Sequence, residues 1–297
     1  MSPVHFYHCR TLMGLLVCAL FLGPASFASA QKKGVPAPPS GPLLKRTVSR
    51  HEVRKFAYGG TVTVVGAPQG SITIEGWSRN EVEVTAEIEL QAETEADLEL
   101  LAAVNVFSLD EDVMHLNLLT TGTHDKSYLK KVAKTFPKRL LGLPWKIDYR
   151  LHVPQASDLD IHGGIGPINL TGVEGAITLT APQSDANVTV TGGSLNLTVA
   201  AGTVNVHIPT RSWRGGGAYV QLASGQLNVE LPNGFNGDID ADILRTGKIE
   251  NSYPGIEKRE PPGLGEKIIR GRVGAGGASL KFAVGTGTIV IKKADNQ

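Results

Sequence analysis

Cysteine is almost missing from this 297-residue chain, which has two, Cys9 and Cys18. Both lie in a leader made of Arg10, an apolar stretch from Leu12 to Leu22 and the small residues Ala28-Ser29-Ala30, the layout of a secretory signal cleaved before Gln31. The exported chain is therefore expected to carry no thiol, which excludes disulfides, cysteine nucleophiles, thiolate zinc sites and iron–sulfur clusters. Long apolar runs are missing as well. Leu12 to Leu22 is short for a membrane span of about 20 residues and Pro24 interrupts its end, while Val17 precedes Cys18 where lipoprotein acylation wants a small residue. Neither sign of charge dominates. The net charge is +1, without the basic surplus that displaces counterions from nucleic-acid phosphates. Catalytic signatures are absent too: there is no Gly-x-Ser-x-Gly elbow and no His-Glu-x-x-His, and Gly274-Ala275-Gly276-Gly277 lacks the Lys-Ser/Thr of a phosphate cradle. The reading is of a non-enzymatic protein with no cofactor.

What is present is a β pattern. With 41% apolar residues the chain can bury a substantial core. The stretch Val35 to Pro42 contains Pro36, Pro38, Pro39 and Pro42, which cannot donate backbone hydrogen bonds, so residues 31–49 are expected to be an extended linker. From Thr61 the apolar period becomes two: Val62 and Val64, Ile72 and Ile74, then Val82, Val84, Ile88 and Leu90 alternate with Thr, Ser and Glu, as half-buried strands do. Thr94 followed by Asp97, with Leu98, Leu101, Ala102 and Val104 at helical spacing, marks one short helix. Strands are expected to resume at Val106 to Leu109 and Val113 to Leu118, after which the pattern fails from Thr120 to Pro144.

Beyond Trp145 a repeat emerges. Two apolar residues flanking a polar one recur as Leu159-Asp160-Ile161, Ile168-Asn169-Leu170, Ile177-Thr178-Leu179, Val188-Thr189-Val190, Leu195-Asn196-Leu197, Val204-Asn205-Val206 and Leu227-Asn228-Val229, stepping by about nine residues. Gly163-Gly164, Gly172, Gly175, Gly192-Gly193 and Gly202 punctuate them as corners. Two inward side chains yield roughly 1.5–3 kcal/mol each on burial, against about 1–2 kcal/mol of backbone entropy per ordered residue, so one such strand is unstable alone and must stack on others. The fold class expected is all-β, a β-solenoid of stacked short strands with a repeat of about nine residues and one or two short helices in the N-terminal part. An antiparallel sandwich, whose strands recur every 8 to 12 residues, is the competing architecture.

Three stretches resemble the bacterial putative-adhesin family of unknown function. They are Gly70-Ser71-Ile72-Thr73-Ile74-Glu75-Gly76-Trp77, Tyr149-Arg150-Leu151-His152-Val153-Pro154, and the ending Gly285-Thr286-Gly287-Thr288-Ile289-Val290-Ile291. The resemblance spans about Ala57 to Lys292. It implies glycine-punctuated β-repeats and an adhesive role at a surface, and it offers no catalytic residues. The family's common Ser-Gly-Asp corner is replaced here by Gly192-Gly193-Ser194 and Ser224-Gly225-Gln226.

Two constellations carry chemistry. From Lys126 to Lys146 the chain holds Lys126, Lys130, Lys131, Lys134, Lys138, Arg139 and Lys146 with no Asp or Glu among them. Leu129, Val132, Ala133 and Phe136 fall at i, i+3, i+4 and i+7, predicting a short basic amphipathic helix ending before Pro137. Such a segment suits an anionic lipid headgroup, lipopolysaccharide or an acidic glycan, and equally a solvated cap on the first coil. Asp158, Asp160 and His162 alternate and so share one strand face, a metal-ligating or acid–base pattern that a carbohydrate-active enzyme could use and that solvent-facing residues also produce. Asn169-Leu170-Thr171, Asn187-Val188-Thr189 and Asn196-Leu197-Thr198 match the glycosylation sequon but arise from the repeat itself.

The domain reading is residues 1–30 signal peptide, 31–49 linker, 50–119 a β-rich part with a helix, 120–146 a basic insertion and 147–292 the repeat region, continuous with the N-terminal part. The function expected is an exported surface or envelope binding module, in the periplasm, on the cell surface or outside the cell. Its partners are expected to be a polyanion or an envelope protein, with no nucleic acid and no membrane span after signal cleavage. A structural or regulatory envelope partner is a further alternative.

Overall fold

The computed structural model describes residues 42–112, 114–132, 135–258 and 267–294. The expected signal peptide, both cysteines and the Pro-rich run through Gly41 lie outside the described residues, as do Val113, Ala133 and Lys134. Alternating side chains make β1 (Leu44–Lys55), β2 (Thr61–Val65), β3 (Ile72–Trp77) and β4 (Glu81–Ala92). The predicted helix follows as α1 (Glu95–Val104), with the Thr94 hydroxyl accepting from the Asp97 amide at 3.2 Å. Then come β5 (Val106–Glu111), β6 (His115–Thr121), α2 (Lys126–Val132), β7 (Trp145–Pro154), β8 (Asp158–His162) and β9 (Ile168–Thr171). The long strands β10 (Ala176–Thr189), β11 (Gly192–His207), β12 (Arg214–Leu231) and β13 (Gly237–Asn251) are followed by β14 (Glu257–Lys258), β15 (Ile268–Val273) and β16 (Ala278–Lys293).

All sixteen strands belong to one hydrogen-bonded sheet that branches at β10. The first half of β10 pairs with β8, which leads to β2, β6 and β5, and its second half pairs with β9, which leads to β3, β7, β4 and β1. Pairing is parallel from β10 through β11, β12 and β16 to β13, which excludes an antiparallel sandwich for that stretch. Antiparallel pairs finish the margins: β4 with β7 and β1, β5 with β6, and β15 with β13 and β14. Apolar residues from every layer enter one continuous core, among them Val62, Ile74, Leu151, Leu179, Val188, Leu197, Val206, Leu227 and Phe282.

The register corrects the nine-residue step. Ile177 lies beside Leu195 and Val188 beside Val206, 18 residues on, and Val204 lies beside Leu227, 23 on. Hydrogen-bonded partners are therefore alternate apolar pairs: Ile168-Asn169-Leu170 meets Ala186-Asn187-Val188 and passes over Ile177-Thr178-Leu179. A nine-residue arm is half of one layer, because β10 sends its first half to β8 and its second half to β9, and both halves of β11 stack on those of β10. The polar residue between the apolar pair does stack, as Asn187 donates to Asn169 (2.9 Å), Asn205 to Asn187 (2.7 Å) and Asn228 to Asn205 (2.7 Å), an amide ladder on the outer face. Chain order and layer order part company at the C-terminus, where β16 lies between β12 and β13.

The bend is built from glycine. Gly70, Gly166, Gly202, Gly225, Gly287 and Gly247 form a column, each following the last by one layer with Ser184 between Gly166 and Gly202. At Gly287 φ is +145°, and a Cβ there would overlap the carbonyl oxygen of Gly225. At Gly247 φ is +144°, and a Cβ would overlap the oxygen of Gly287. Only a residue without a side chain lets the backbones of adjacent layers close to this distance at a conformation L-residues avoid.

Residues 44–49, expected as linker, are strand. The linker reading failed there because β1 carries few apolar residues (Leu44, Val48 and Val53) among many charges, leaving little period-two signal to read. The basic helix is described over Lys126–Val132, the rest of its expected length through Lys134 lying outside the described residues, and a 3-10 turn at Lys138–Leu140 follows Pro137.

Gly287→Ala is expected to destabilise the protein by about 2–4 kcal/mol, through overpacking and forced backbone strain. Gly142, whose Cβ would meet nothing within 4 Å, is the control: Gly142→Ala should leave the urea midpoint within error. Equal midpoints for the two variants would contradict the corner assignment.

Candidate functional site

The basic segment is anchored at several points along its length. Asp125 opens α2 by accepting hydrogen bonds from the amides of Ser127 (2.8 Å) and Tyr128 (3.0 Å), and these hold its carboxyl below the usual carboxylate range, the Tyr128 bond most of all. Just before it, the buried Asn105 accepts from the Thr123 amide (2.9 Å) and donates to the Leu101 carbonyl (3.1 Å), tying the loop to the end of α1. His124 packs on Trp145 with ring centres 5.4 Å apart, and burial lowers its pKa. Leu129 is the buried anchor of α2.

The six sequence candidates divide. Lys126, Lys130, Lys131 and Lys138 are exposed, and none makes an ion pair among the described residues. Lys126 and Lys130 stand one turn apart on the same face of α2. Arg139 is structural. Its guanidinium donates two hydrogen bonds of 2.7 Å to the carboxylate of Asp97, whose side chain is only 6% exposed. The Arg139 pairing, opposed by burial, holds Asp97 below the usual carboxylate range and raises Arg139 in turn. Lys134 lies outside the described residues. Lys146, from the same run, pairs with Asp148 at 2.7 Å, and Asp148 also accepts from the amide and hydroxyl of Ser71. The acids missing from residues 126–146 are thus supplied by Asp97 of α1, 42 residues before Arg139, and by Asp148 of β7, two residues after Lys146.

The acid–histidine strand is β8. Asp158, Asp160 and His162 do share its outward face, with His162 Nε2 at 3.2 Å from Asp160 Oδ1. Asp158 accepts from the Ala176 amide of the next layer at 2.6 Å, a bond between the first residues of β8 and β10. Two surface clefts, of about 370 and 500 Å³, are lined by other residues: Glu174, Thr191, Thr210 and Arg214 in the smaller, Leu222, Leu244 and Arg245 in the larger. Among the described residues no group of three or more His, Cys, Asp and Glu is placed to hold a metal ion, and no helix is long and apolar enough to cross a membrane.

A row across four strands escaped the sequence. Glu83 of β4 stands between His152 of β7 (3.1 Å) and His51 of β1 (3.5 Å), and His152 reaches Glu75 of β3 at 3.5 Å. Trp77 stacks on His152 with centres 5.0 Å apart, and Arg79 covers Trp77 at 4.8 Å. Positions 51, 75, 83 and 152 meet only through long-range pairing, so no local motif could have announced them.

No family model and no curated protein matches the chain. Solved structures do. A "putative cell adhesion protein" from Clostridium sporogenes aligns at TM-score 0.37 and 12% identity, over 83% of this chain and 100% of its own. A "putative adhesin" from Bacteroides fragilis aligns at TM-score 0.27 and 10% identity, over 84% and 97%. A "putative lipid binding protein" from Parabacteroides distasonis aligns at TM-score 0.24 and 10% identity, over 83% and 97%. At these scores the likenesses add nothing to what the strand pairing itself shows.

The Asp97–Arg139 clamp has a pH signature. A carboxylate whose folded pKa is depressed contributes stability that is complete above its unfolded value, about 3.9, and is lost as pH falls through the folded one. Arg139→Leu should therefore melt below the parent at pH 7, and the gap should narrow as the pH falls below about 3.9. A gap unchanged in acid would contradict an ionic clamp.

Proposed function

We propose that this chain is an exported, non-enzymatic β-solenoid of the cell envelope or surface that binds polyanions through the basic helix. One observation carries the reading: within a single segment, Arg139 and Lys146 are committed to ion pairs while Lys126, Lys130, Lys131 and Lys138 face solvent without one among the described residues. Lysines that serve only as a solvated cap have no need of a helix fixed by Asp125, Asn105 and Leu129 in front and by Arg139 behind. Each lysine held near an anionic surface is worth about 1 kcal/mol, enough for weak binding that salt reverses. The parallel in-register layers support the solenoid, and the leader from Arg10 to Ala30 supports export. The domain scheme follows, with the linker shortened to end before Leu44 and the basic insertion set between β6 and β7.

The test is retention on phosphatidylglycerol vesicles and on an acidic polysaccharide at about 50 mM and about 500 mM salt. Retention at low salt, lost at high salt and weakened at least about tenfold in Lys130→Glu/Lys131→Glu, is expected. No retention on either matrix, or retention that ignores both salt and the substitutions, would contradict the proposal.

A further inference from the structure

The first strand has one edge to spare. β1 pairs with β4 along its whole length, from Leu44 beside Ala92 to Lys55 beside Glu81, and among the described residues no strand lies on its other side. In an antiparallel ladder alternate residues turn their N–H and C=O groups to one neighbour, so half of the groups along these 12 residues point away from the sheet. Exposed edges of this length are ordinarily shortened, bulged or covered.

Its charges decide what can dock there. The strand carries Lys45, Arg46, Arg50, Arg54 and Lys55 against a single Glu52. Three of these cations are matched from within: Lys45 by Glu89 at 2.8 Å, Arg46 by Glu95 at 2.5 Å, and Arg54 by Glu52 at 2.9 Å. Arg50 and Lys55 are exposed and make no ion pair among the described residues. A second copy paired two-fold about Arg50, near the middle of β1, would set Arg50 opposite Arg50, Arg46 opposite Arg54 and Lys45 opposite Lys55, and like charges directly opposed are destabilising. The same pattern attracts a strand bearing acids. Exposed Leu44 and Val53, each 43% accessible, give an incoming chain apolar contacts between its charges.

We infer that the free edge of β1 takes an extended acidic polypeptide segment, adding it to the sheet by backbone pairing. The occupant is a polypeptide because the edge offers alternating donors and acceptors at peptide spacing, which a glycan or polyphosphate does not complement. The site is separate from α2, so polyanion retention and strand addition succeed or fail independently.

The experiment titrates the full chain into a fluorescein-labelled 12-residue peptide of six Glu and six Val or Thr, ordered so that Glu falls on both faces of an extended strand as Arg50 and Lys55 do, followed by anisotropy. Saturable binding is expected, weakened at least about tenfold by Arg50→Glu/Lys55→Glu through opposed charge. It should weaken as much when Pro replaces Val and Thr in the peptide, which keeps the charge and removes half the backbone donors. Arg50→Gln/Lys55→Gln, which adds no repulsion, should show a smaller loss if the Glu variant fails to fold. Equal affinity for the Val/Thr and Pro peptides would overturn strand addition in favour of plain charge attraction. No binding, or sedimentation of the free chain as a β1-dependent dimer, would overturn it as well.

Discussion

Backbone meets backbone at the glycine column, and the layers depend on that contact. β10 sends one half to each branch of the sheet, and at the middle of each long strand from β11 onward the backbone lies directly against that of the next layer. Gly202, Gly225, Gly287 and Gly247 permit the approach because each stands where a Cβ would overlap the carbonyl oxygen of its neighbour. Once the bends are stacked, register follows along both arms, and with it the burial of Leu197 beside Val220 and of Val206 beside Val229. Ser184 is the one residue of the column with a side chain; its hydroxyl is buried with no hydrogen-bond partner among the described residues.

The column also explains how β16 can enter out of chain order. Gly225 to Gly247 is 22 residues, close to the 23 from Gly202 to Gly225, so chain spacing alone would put β13 on β12. The structure instead places Gly287 between them, paired in parallel on both sides. Leu227, Ile289 and Ile249 line up across the three strands, so the inserted strand continues the apolar row without a break. Its hydrophobic pattern is interchangeable with that of its neighbours, which is why nothing local in the sequence distinguishes its layer.

Much of the fold was legible where the physics is local. Period-two alternation marked β2, β3 and β4, the Thr94 cap marked α1, and the glycines marked corners. Register was not legible, since a nine-residue arm and an 18-residue layer produce the same periodicity in one dimension. β1 was hidden because edge protection replaces apolar residues with charge. The basic segment was visible as composition, but its division was not: Arg139 looks like Lys138 until Asp97, 42 residues earlier, is brought to it. The resulting surface separates charge that holds the fold, as in Arg139 and Lys146, from charge that faces outward, as in Lys130 and Arg50.

The 18-residue register of β8, β9, β10 and β11 is the claim on which the first layers and the ladder from Asn169 to Asn205 rest, and spin labels test it most directly. With Cys9 and Cys18 replaced by Ser, nitroxides would be attached to Asn187→Cys/Asn205→Cys in one sample and to Asn187→Cys/Asn196→Cys in another. Asn187 and Asn205 are lateral neighbours in the sheet, about 4.8 Å apart at the backbone, so strong dipolar broadening is expected in the first sample and little in the second. Broadening in the nine-residue pair and none in the 18-residue pair would contradict the stacking described above.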